Sequence, residues 1–98
     1  MKTLIPVIAA FVSSASQAQA GDSSLIYFQK AVAAKEARQF LVAAQYFDKS
    51  LSFNAKNLSA LLENAAVHME MRKTDQAKAL YIQALELEPG NLIAQKEL

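Results

Sequence analysis

Ninety-eight residues leave room for one small domain. The chain has no cysteine and a single histidine, His68, which excludes a disulfide framework, a thiolate or histidine-rich metal site and a cysteine nucleophile. Ten basic residues against nine acidic ones provide no field for nucleic acid or for an anionic membrane surface, and two glycines, two prolines and abundant alanine point to helices joined by short turns.

The chain opens with one positive charge in Met1–Lys2–Thr3, then an apolar run from Leu4 to Val12, LIPVIAAFV. That run is too short to span a membrane, which takes roughly 20 residues. Ser13 to Ala20 is small and polar and ends Ala18–Gln19–Ala20, the A-x-A spacing that suits the two small pockets of a signal peptidase. The stretch resembles a bacterial general-secretory signal. The resemblance implies a signal peptide over residues 1–20, cleavage between Ala20 and Gly21, and a periplasmic or secreted product with no membrane span after cleavage. No cysteine follows the apolar run, so a lipoprotein route is closed. The other reading of these residues is a short buried N-terminal helix.

The first helix is expected over about Leu25–Ala37, capped by Asp22, Ser23 or Ser24. Tyr27, Ala31 and Ala34 form one stripe, and Leu25, Phe28 and Val32 form a second, rotated away. A helix with two apolar faces needs partners on two sides or leaves one face for a ligand. Lys30, Lys35, Glu36 and Arg38 are expected in water. The turn at Arg38–Gln39 carries no glycine. A second helix follows over about Phe40–Asn54, turning Phe40, Ala43, Phe47 and Leu51 to the first. Tyr46 and Phe53 are expected partly buried. The third helix runs over about Leu58–Met71, with Leu61, Ala65 and His68 facing its partner. The fourth runs over about Asp75–Glu88, capped by Thr74 or Asp75. Ala77, Tyr81, Ala84 and Leu85 stand at i, i+4, i+7 and i+8, one helical face. Pro89 stops this helix, Gly90 can take a left-handed turn, and Asn91 can cap a short fifth helix, Leu92–Leu98.

The pattern recurs at an offset of 34 residues. Ala77 matches Ala43, Tyr81 matches Phe47, Ala84 matches Ser50, Leu85 matches Leu51, Asn91–Leu92 matches Asn57–Leu58, and Ala94 matches Ala60. Ala55 stands where Pro89 predicts a proline. This organisation resembles the tetratricopeptide (TPR) repeat family, with units at about 24–57 and 58–91 and a third begun, or a capping helix, at 92–98. The resemblance implies an all-α fold, a short right-handed solenoid of antiparallel helix pairs. Lys30 and Asn64 depart from the family's usual leucine, and Ala34 from its usual aromatic. A plain helical hairpin bundle is the alternative fold.

No phosphate loop, zinc motif or calcium loop occurs, and no acid/base pair is recognisable around Asp48 or Glu63, so catalysis, cofactors and metals are not expected. His68 reads as a packed, hydrogen-bonded core residue. The TPR resemblance implies a concave groove lined by the first helix of each unit: Leu25, Phe28 and Val32, then Leu62, Ala66 and Met69, then Ile93. Such a surface suits a helix or extended apolar peptide of a protein partner. Arrays of this family that grip a C-terminal carboxylate line the groove with lysine, arginine and asparagine; here the matching places hold Phe28, Val32, Glu63, Ile93 and Glu97, and Asn64 alone cannot neutralise a carboxylate. The expected function is therefore a non-catalytic, exported interaction module. The alternative is a structural subunit that homo-oligomerises through the same apolar surface, since about three repeats are usually needed for stability.

Overall fold

The computed structural model describes residues 23–98, so the expected signal peptide and the Ala20–Gly21 cleavage point lie outside the described residues. Five helices follow one another, and no strand occurs among the described residues. Helix α1 covers 23–36, α2 Phe40–Phe53, α3 Leu58–Glu70, α4 Thr74–Leu87 and α5 Leu92–Glu97. Each expected helix is present, with ends within one or two residues.

Two of the caps follow the reading of the sequence. The Asn57 side chain accepts from the Ala60 N–H at 3.1 Å, and the Asn91 side chain accepts from the Ala94 N–H at 2.9 Å. Other termini differ. Thr74 is the first helical residue of α4 rather than its cap, and the capping position, Lys73, makes no side-chain hydrogen bond. Ser24 lies inside α1 and reaches across to α2. Its Oγ donates to the Ser50 carbonyl at 3.2 Å, while Ser50 Oγ donates to the Ser24 carbonyl at 2.7 Å. Both serines are buried, so the exchange satisfies polar groups that would otherwise be costly.

The turns inside the two helix pairs close in the same way. Arg38 has φ 61° and Arg72 φ 63°, left-handed values at positions 34 residues apart. The arginines thus occupy the conformation that glycine adopts at no steric cost. Gly90 has no positive φ, contrary to expectation; Pro89 and the Asn91 cap set that turn without it. In the matching turn, Asn54 Oδ1 accepts from the Lys56 N–H at 3.2 Å, doing locally what the missing proline would have done.

The core is two clusters joined by one residue. The first gathers Ala31, Ala34, Ala43, Ala44, Phe47, Ala60 and Val67. The second gathers Leu61, Ala65, Ala77, Tyr81, Ala84 and Ala94. Leu51 packs against both. Alanines at the helix crossings allow close backbone approach, and Phe47 and Tyr81 fill equivalent places in the two units. Because Ala60 and Val67 of α3 belong to the first cluster, unit two is packed onto unit one rather than merely following it.

Candidate peptide-binding groove

The seven expected groove residues lie on the first helices of successive pairs. On α1, Phe28, Val32 and Lys35 follow at i, i+4 and i+7; on α3, Leu62, Ala66 and Met69 do the same. The 34-residue offset aligns these rows across the helices: Leu25 with Ser59 and Ile93, Phe28 with Leu62, Val32 with Ala66.

Their exposure divides them. Leu25, Met69 and Ile93 are open to solvent, at 53%, 39% and 57%. Phe28, Val32 and Leu62 are half-buried and pack against the core clusters, and Ala66 is half-buried. Phe28 meets Phe47 edge-on, ring centroids 5.7 Å apart. It therefore braces the core as well as facing outward.

An ion pair ties the two helices together. Lys35 Nζ donates to Glu63 Oε1, joining α1 to α3 beside Val32 and Ala66. Lys35 is thus half-buried and paired, not free in water as its sequence context suggests. Its partner sits 28 residues away, and no local pattern marks it. The pair leaves Lys35 neutralised by the protein itself. Asn64 is likewise spoken for: it is fully buried and donates through Nδ2 to Asp48 Oδ1 at 2.9 Å. It faces α2 and offers nothing to the groove.

His68 lies on α3 half-buried, and its buried Nδ1 has no hydrogen-bond partner, against the expectation of a bonded core histidine. Burial lowers its pKa; Asp48 pulls the other way and Lys73 adds to the lowering. Burial, with Glu97 and Glu63 nearby, raises that of Tyr81. A shallow hollow of about 400 Å³ lies at the α3–α4 turn, lined by Met69, Glu70, Arg72 and Thr74. Only Met69 is shared with the groove, which is an open face rather than a cavity. Among the described residues no group of three or more carboxylate or imidazole side chains could hold a metal ion, and no helix is long and apolar enough to cross a membrane.

No protein-family model and no characterised protein matches the chain by sequence. Solved structures do. The chain is similar to the first TPR domain of Spaghetti (RPAP3) bound to the HSP90 peptide SRMEEVD, with TM-score 0.73 and 28% identity over 76% of this chain and 60% of that one. It is also similar to the TPR domain of Arabidopsis OM64, with TM-score 0.72 and 28% identity over 79% of this chain and 64% of that one. The chain therefore spans less than two thirds of either structure. Helix order, the 34-residue offset and these likenesses agree on the architecture: an all-α solenoid of TPR-type helix pairs.

Proposed function

We propose that the chain is a non-catalytic interaction module, exported to the periplasm or beyond, that binds a peptide or helix of a protein partner in the groove of α1, α3 and α5. The observation that carries this reading is the apolar row on the first helices, with Leu25, Met69 and Ile93 open to solvent. A TPR domain of similar shape is solved with a peptide bound, which supports the class of partner. The chemistry of the partner differs from that acidic peptide. Lys35 is held by Glu63 and Asn64 by Asp48, so neither is available to an incoming carboxylate. An amphipathic helix or extended segment with apolar anchors suits the surface better.

The test is co-purification from a periplasmic extract with the wild-type chain and with Leu25→Glu/Met69→Glu. Both residues are exposed, so helical content should not change. Phe28→Glu is a poorer test, because Phe28 also braces Phe47. Loss of a partner with the double variant, at unchanged circular dichroism, supports the reading; equal recovery removes it. The proposed export is read separately, as a secreted product whose N-terminus is Gly21.

One observation favours a second reading. Leu92, Ile93 and Leu98 are exposed by 77%, 57% and 51% around α5. A second copy covering them would make the chain a homo-oligomerising structural subunit, and light scattering across a concentration series separates the two.

A further inference from the structure

A second surface emerges from the internal repeat. α3 turns Ala60, Asn64 and Val67 back toward the first unit, and all three are fully buried there. Ala60 and Val67 enter the first core cluster, and Asn64 bonds Asp48 of α2. Thirty-four residues earlier, α1 carries Ile26, Lys30 and Ala33, and all three are exposed, Ile26 by 48%. One helical face is thus covered on α3 and bare on α1. It lies nearly opposite the groove row Phe28, Val32 and Lys35, given about 100° per residue.

Rings and lysines surround the bare face. Tyr27 of α1 stacks with Tyr46 and Phe53 of α2 at centroid distances of 6.0 and 5.9 Å. Lys30 Nζ and Lys49 Nζ stand 5.5 and 5.9 Å from the Tyr27 centroid. Among the described residues neither lysine forms an ion pair.

The covered copy of this face indicates what fits the bare one. On α3 the occupant is α2, an amphipathic helix that brings Ala44 and Phe47 to the shared core and sets Asp48 against the polar position. On α1 that polar position is a lysine, where a carboxylate gains a charge-assisted bond. We propose that the open end of the α1–α2 pair is a second docking surface, taking an amphipathic helix of a partner protein that lays small apolar side chains on Ile26 and Ala33 and sets a carboxylate against Lys30. Lys49 adds to the attraction for acidic residues at the same end.

The probe is a labelled synthetic peptide of residues 39–57, the chain's own α2 with its flanks, titrated with the full chain by fluorescence anisotropy. Saturable binding is expected. Lys30→Glu should weaken it at least tenfold, and a peptide carrying Asp48→Lys should recover binding to the Lys30→Glu chain. Leu25→Glu should leave binding unchanged, so a failure of the groove reading and a failure here are told apart. Lys30 is exposed, and circular dichroism checks that the variant folds. Absence of binding overturns the proposal, as does binding indifferent to Lys30→Glu. Self-association of the chain alone that Lys30→Glu abolishes also overturns it, in favour of a second copy as the occupant.

Discussion

At the scale of single residues, two arginines and one histidine carry most of what can be measured. Arg38 and Arg72 hold left-handed backbone that an L side chain occupies at a cost of about 1–2 kcal/mol. Glycine removes that cost but gives back part of it as unfolded-chain entropy. Arg72→Gly should therefore raise stability by about 0.5–1 kcal/mol in urea unfolding. Arg38→Gly should gain less, because the Arg38 guanidinium lies 5.4 Å over the Phe40 ring and that contact is lost. His68 makes stability depend on pH. Its pKa is lowered on folding, so below its ordinary value near 6.5 the unfolded chain binds more protons than the folded one. Its contribution is complete above that value and declines as pH falls through it toward the lowered folded-state value. Unfolding midpoints compared above and below pH 6.5 should show this decline in the wild type, and His68→Gln should flatten it.

At the scale of elements, the repeated asparagine caps invite a paired comparison. Asn57→Ala and Asn91→Ala each remove a side-chain acceptor worth about 1 kcal/mol. The consequences should differ. Asn57 starts α3, in the middle of the array, so its loss should lower global stability. Asn91 starts the terminal α5, so its loss should appear first as faster amide exchange over Leu92–Glu97, with a smaller global change. These helices were legible in the sequence because their stops are local. Pro89 removes a donor, and Asn57 and Asn91 supply caps within three residues. What could not be read was whatever joins distant residues. The Ser24–Ser50 exchange spans 26 residues and Lys35–Glu63 spans 28, and neither leaves a spacing signature. The left-handed arginines were hidden for another reason: arginine tells nothing of backbone strain, which here is imposed by the helices on either side. Of the groove, the positions were legible as a row, but not that Phe28 would also brace the core.

At the scale of the whole molecule, Leu51 is the joint between two small cores. Leu51→Ala should cost about 2 kcal/mol, toward the low end for a buried leucine because the site is only half-buried. It should also uncouple the units, since a repeat array is held by its nearest-neighbour interfaces. Hydrogen exchange of α1–α2 and of α3–α4 should coincide in the wild type and separate in this variant; coincident exchange in both would mean the joint lies elsewhere. The alanine-lined crossings have a thermal consequence. Alanine brings little hydrocarbon out of water per residue packed, so unfolding exposes less apolar surface than a leucine-rich bundle of equal length would. The heat-capacity increment shrinks with it, and the stability curve flattens. A flat curve loses little on cooling and declines gently on warming, so the array keeps nearly the same margin over a wide span of temperature.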